Sequence, residues 1–185
     1  VCSSDLFNVS EFRSQLIGDG ARPNLFSVTM ALPTIAGNST AAGQKLTFMA
    51  KAAQLPGSSI GTVPVYYFGR ELKFAGNRTF PDWTIQIIND EDFLIRNALE
   101  NWMNAINSHQ GNVRNQDALS NLNYTTQAKV EQFGKIGKSP IKSYDFVGLF
   151  PIDVAPIDLD WGSNDTIEEY SVTFAYQYWT SDTTS

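Results

Sequence analysis

One amphipathic helix stands in a chain that otherwise alternates like strands, and that asymmetry limits the folds open to it. At about residues 90–108, Ile95, Leu99, Trp102 and Ile106 recur at i, i+4, i+7 and i+11, a single apolar stripe. Asn89-Asp90-Glu91-Asp92 precede it with cap residues and acids suited to the positive end of a helix. Gly111 supplies a stop. Just before it, Trp83-Thr84-Ile85-Gln86-Ile87 alternates apolar and polar residues, the period of a half-buried strand. The reading is mainly β, with one helix covering a sheet that the rest of the chain builds.

Other strands follow by the same period. Phe26, Val28, Met30 and Leu32 alternate with Ser27, Thr29 and Ala31, and Leu46–Ala50 reads as a second strand. Between them, residues 33–44 are rich in Gly, Ser, Thr and Ala and are expected to form a flexible loop. Leu55–Gly61 reads as a turn-like tip before a strand at Val63–Phe68, where Pro64 argues for an edge or a bulge. Gly69-Arg70 joins that strand to Glu71–Ala75 in a hairpin. After the helix, His109–Thr125 reads as a polar surface loop. Gln127–Phe133 and Ile141–Phe150 read as two strands joined by a Gly-Lys-rich tip. Ile157–Trp161 is a short strand on this reading. In the last strand Tyr170, Val172, Phe174, Tyr176 and Tyr178 share one face. A short helix is expected at Phe7–Ile17, capped at Ser10, with Phe12 and Leu16 on one face.

At 185 residues the chain suits one domain, 1–185, and is too short for two. Its first six residues match what one frame of a common sequencing-adapter end encodes, and are set aside as a candidate scar together with Cys2, the one cysteine. No signal peptide and no bilayer-spanning stretch is visible, so a soluble, unsecreted protein without a membrane partner is expected. The net charge of −6 argues against a general nucleic-acid binder. All 13 Lys and Arg lie at or before Lys142, while residues 143–185 hold 8 of the 19 acids. The segments therefore carry +2 and −8, which suits an acidic surface facing a basic neighbour or lining a passage.

Few residues offer chemistry. Asp90, Glu91 and Asp92 read as caps rather than a metal cluster. Asp158 and Asp160 point the same way on the expected strand, but two carboxylates alone do not make a cation site. His109 is the one histidine and reads as a surface residue. An Arg78–Asp82 ion pair would brace the turn before Trp83. No phosphate loop, nucleophile elbow or zinc spacing occurs, so neither an enzyme nor a cofactor is expected.

Five blocks in order carry a resemblance. They are Ala21–Phe26, Leu55-Pro56-Gly57, Ala75–Thr84, Gly148-Leu149-Phe150-Pro151, and Leu159–Asn164 followed by Phe174–Trp179. Together, over about residues 12–180, the chain resembles the tail tube proteins of contractile-tailed bacteriophages. It departs from the pattern at residues 33–44 and in its first 17 residues. The resemblance implies an antiparallel β-sandwich or partly open barrel with one flanking helix. Six copies would close a ring by joining sheets, and rings would stack into a conduit for the genome inside a contractile sheath. Partners would be other copies, the sheath, baseplate and tail-terminator proteins, with tape measure protein and DNA held in the lumen without specific binding. The location implied is the virion tail, assembled in the host bacterial cytoplasm.

The resemblance also places inter-ring contacts at Gln54, Leu55, Pro56, Gly57, Ser58, Ser59 and Ile60. A conduit wall should be neutral to acidic, with Asp145 and Glu169 as contributors and Asp158 and Asp160 as lumen or ring-seam acids. Rival readings are a baseplate tube initiator or secretion-system tube of the same fold, and a monomeric ligand-binding β-sandwich.

Overall fold

The computed structural model describes residues 8–135, 137 and 139–184; the candidate scar and Cys2 lie outside them. In chain order the elements are α1 (Val9–Gln15), β1 (Phe26–Met30), α2 (Ser39–Met49), β2 (Ala50–Ala53), β3 (Ser59–Tyr67), β4 (Arg70–Thr79), β5 (Trp83–Ile88), α3 (Leu94–Ile106), α4 (Asn121–Tyr124), β6 (Thr126–Phe133), β7 (Pro140–Val154), β8 (Glu169–Ala175) and β9 (Tyr178–Ser181). The fold is mainly β. A seven-stranded antiparallel sheet runs in the order β1-β6-β7-β8-β5-β2, with β9 also on β7, and β3-β4 form a separate two-stranded sheet.

The long strand β7 gives the large sheet its curl. Its first half pairs with β6 and β9, and its second half, Phe150–Val154, pairs with β8. Between the halves, Gly148 sits at φ 69 as the extra residue of a bulge between Val147 and Leu149. A Cβ there would lie 2.7 Å from the Gln177 side chain. Gln177 is also where the chain leaves β8 and crosses to pair with the first half of β7, its N–H donating to the Val147 carbonyl at 3.0 Å. The single last strand expected at 170–178 is therefore two. Tyr170, Val172 and Phe174 do share the buried face of β8, while Tyr178 belongs to β9 and is exposed.

The core lies between the curled sheet and two helices. Trp83 of β5 stacks on Phe146 of β7 at 4.5 Å between centroids, and Ile85, Ile87, Val172 and Phe174 are fully buried beside them. On α3, Ile95, Leu99 and Trp102 are buried and Ile106 is half-buried. The Trp102 indole N–H donates to the Tyr124 carbonyl at 2.7 Å, which fixes α4 over the helix.

Several expectations are corrected. Residues 33–44 are not a flexible loop but a 3-10 turn at Thr34–Ala36 and the start of α2, which runs on through the strand expected at 46–50. Small size is what this segment needs, because Ala42, Gly43 and Leu46 form the buried face and a Cβ on Gly43 would stand 2.8 Å from the Met30 carbonyl. Ala is also the best helix former, so the composition that looks loop-like favours the helix. Helix α3 begins at Leu94 and ends at Ile106, short of Gly111. The stretch after α3 is not purely a loop: it holds a 3-10 turn at Gln116–Ala118, with Ala118 buried, and then α4. Ile157–Trp161 pairs with no strand. Among the described residues no ion pair joins Arg78 to Asp82. Asn8, not Ser10, caps α1, and none of the helix's side chains is buried.

Candidate assembly surfaces

The hairpin β3-β4 is an exposed arm that, among the described residues, pairs with no other strand. Every residue of β3 is exposed and so is every residue of β4 except Gly76. Register puts Val63 opposite Phe74 and Val65 opposite Leu72, so these four side chains share one face of the ribbon. Pro64, Tyr66, Glu71 and Lys73 take the other face. The tip turns at Phe68 and Gly69, both at positive φ (47 and 77), as a two-residue hairpin requires. Phe68 stands 93% exposed with its ring edge-on to Tyr67 at 4.6 Å.

The segment expected to project, Gln54–Ile60, instead forms the foot of this arm. The Trp83 indole donates to the Gln54 carbonyl at 2.8 Å, and the Trp179 indole donates to the Gly57 carbonyl at 3.0 Å. Leu55 and Ser58 are exposed, Pro56 is half-buried, and Ser59 and Ile60 already belong to β3. The hairpin expected at Val63–Phe68 and Glu71–Ala75 is present, turning at Phe68-Gly69 rather than Gly69-Arg70. That it stands free of the sheet is not legible, because its apolar alternation reads like that of a strand with a buried face.

A second exposed feature is the loop at residues 155–168, between β7 and β8. Leu159, Trp161 and Ile167 are exposed at 80, 101 and 71%, and Asp158, Asp160, Asp165 and Glu168 give it four acids with no base. Asp158 and Asp160 are not side by side on a strand: Asp160 accepts from the Gly162 backbone N–H at 3.0 Å and closes a local turn. Glu168 accepts from the Asn89 side chain at 2.8 Å.

The other sequence-predicted acids sit on the outward face of the sheet. Asp145 of β7 is exposed, opposite Lys129 on β6 and Thr180 on β9. Glu169 at the start of β8 is ion-paired with Lys51 at 2.5 Å. This face also carries Ser143, Thr180, Ser171, Thr173, Thr84 and Gln86, with the Thr84 and Thr173 hydroxyls 3.1 Å apart. Lys129 pairs with Glu131 at 3.0 Å, and that hydrogen bond raises its pKa above 10.5. At the far edge, Lys45 of α2 bridges Asp90 and Asp92, each at 2.5 Å. Its hydrogen bonds hold both carboxyls below their ordinary value and raise its own pKa. Asp92 also accepts from the Leu94 N–H at 3.0 Å. The N-cap of α3 is nevertheless Phe93, in a left-handed conformation and without a side-chain cap, so the expected acidic cap is displaced one residue outside the helix. The exposed His109 ring is hydrogen-bonded to the Asn104 side chain at 2.8 Å.

The chain as a whole is similar to known proteins. The phage tail tube protein family matches residues 21–182. Tail tube protein gp19 of Enterobacteria phage T4 is 36% identical over 162 residues, covering 88% of this chain and 92% of the T4 protein. The tail tube protein of Serratia phage KSP90 is 24% identical over 176 residues, covering 94% of this chain and 97% of its own. Among solved structures, the tube-terminating cap of the anti-feeding prophage superposes with a TM-score of 0.63 at 18% identity, over 90% of this chain and 93% of that one. Identity at that level speaks to the fold alone. The fold, the order of its sequence blocks and the T4 relative agree: the chain belongs to the phage tail tube protein family.

Proposed function

We propose that six copies of this chain close into a ring by joining their sheets, and that rings stack into the tube of a contractile tail, the conduit through which the genome leaves. The observation that carries this reading is the arm. A lone two-stranded hairpin is marginal in water, and this one presents Val63, Val65, Leu72 and Phe74 at 44–56% exposure. Such a ribbon makes sense when a neighbour covers it. Strands β1 and β2 end the large sheet and leave backbone edges that ring closure would pair.

In this reading the arm, with its foot at Gln54–Ile60, carries the contact between layers. The outward sheet face, with Asp145 among Ser, Thr and Gln, lines the lumen, where tape measure protein and DNA pass without specific binding. Sheath protein lies outside, and baseplate and terminator proteins close the ends. The tube works in the virion tail after assembly in the host bacterial cytoplasm. Negative-stain microscopy of the purified protein tests it: rings or tubes are expected, and a species that stays at 20.5 kDa on size exclusion at all concentrations overturns it.

A further inference from the structure

The arm and the acidic loop lie at opposite ends of the same strand. The arm's foot is tied by Trp83, the first residue of β5, and by Trp179. The loop at 155–168 ends at Glu168, whose backbone carbonyl accepts from Asn89 at 2.8 Å, just past Ile88 at the other end of β5. Six residues of strand separate them, about 20 Å at the usual rise. Two different surfaces at opposite ends of one subunit are what a head-to-tail contact requires.

The two surfaces also match in kind. The apolar face of the arm carries one charge at its tip end, Arg70, which sits opposite Tyr67 in register and so shares that face. Over its whole length the arm has Arg70, Lys73 and Arg78 against a single acid, Glu71. The loop offers three bare apolar side chains, Leu159, Trp161 and Ile167, set among four acids and no base. Trp161 is fully exposed among the described residues. Phe68 holds a left-handed backbone where Asn or Gly is the ordinary choice, a local strain that a buried tip would explain.

We propose that the apolar face of one copy's arm docks on the 155–168 loop of a second copy, with Arg70 against the loop's acids and Trp161 covered by the arm. This rests on the self-assembling reading above and names the receiving site for the arm, which neither the fold nor the family supplies. The contact is heterologous, so each copy offers an arm at one end and a loop at the other, and stacking has no built-in end.

Charge reversal in the full chain tests it. Arg70→Glu alone, or Asp158→Lys with Asp160→Lys, should raise the concentration needed for tube formation by at least about tenfold, since like charges then meet across the contact. All three changes in one chain should restore assembly. Far-ultraviolet circular dichroism must match the parent for each variant, which separates lost docking from lost folding. Single variants that assemble like the parent, or a combined variant that does not recover, overturn the docking while leaving the tube reading intact. A parent protein that forms no rings overturns both.

Discussion

The indole of Trp179 donates to the carbonyl of Gly57 at 3.0 Å, tying the last strand of the chain to the foot of its arm across 122 residues of sequence. With the Trp83 bond to Gln54, it pins both ends of a four-residue segment that has no strand partner of its own. The arm is therefore anchored at its base and bare along its length.

Trp179→Phe should loosen that anchor without unfolding the domain. Gly57 is exposed, so its carbonyl regains water, and the loss should stay near 0.5–1 kcal/mol in urea melts. Amide exchange at Ser58–Ile60 should rise at the same time. A loss above about 3 kcal/mol, the scale of a large aromatic deletion in a core, would mean that the residue supports the sheet rather than the arm.

Trp102 is a different case, fully buried and bonded through its indole to Tyr124. Trp102→Ala should cost about 3–5 kcal/mol and leave insoluble protein. Trp102→Phe keeps most of the volume but strands the Tyr124 carbonyl, and about 1–3 kcal/mol should follow. Urea denaturation of the soluble Trp102→Phe variant measures it; a loss near zero would deny the bond any role.

The elements that were legible in the sequence are those with one buried face. The stripe of α3 and the alternation of β5 and β8 each announce themselves because one side of the element meets the core. The helix α2 was hidden because its buried side is made of Ala42 and Gly43, small residues that composition assigns to loops. The arm misled differently: Val63, Val65, Leu72 and Phe74 alternate as a core strand would, yet the face they form is bare in the single chain. Period reports that a face will be covered, not by which molecule. The alternation at Leu159 and Trp161 suggests a strand for the same reason, yet both side chains face solvent.

The Lys45 bridge to Asp90 and Asp92 should make the α2–α3 contact sensitive to acid. Both carboxyls titrate below 3.8 in the fold, so their contribution is present above that value and is lost as pH falls through the lower folded values. Lys45 is raised above 10.5, so its share is intact below that and fades as pH rises through the higher folded value. The charges are exposed and salt should weaken the effect. Thermal midpoints of parent and Lys45→Met should differ most between these limits and converge toward acid. A gap that persists unchanged at pH 2 would show that lost packing, not charge, explains it.

The lumen prediction turns on Asp145. Duplex DNA carries about one negative charge per 1.7 Å of axis, and a basic wall would hold it by releasing counterions. A conduit needs the reverse. Glu169 is largely offset by Lys51, which leaves Asp145 as the acid most able to set the potential of the outward sheet face. Lys129, its cross-strand neighbour, is engaged by Glu131, so the face as built is neutral to acidic. Repeated around a ring, Asp145→Lys should turn the wall basic, and tubes of this variant should retain duplex DNA at low salt and release it as salt rises. Asp145→Asn should retain little, and the parent none. Parent tubes that already hold DNA, or an Asp145→Lys tube no stickier than Asp145→Asn, would place this face away from the lumen or make the tube one that grips its genome.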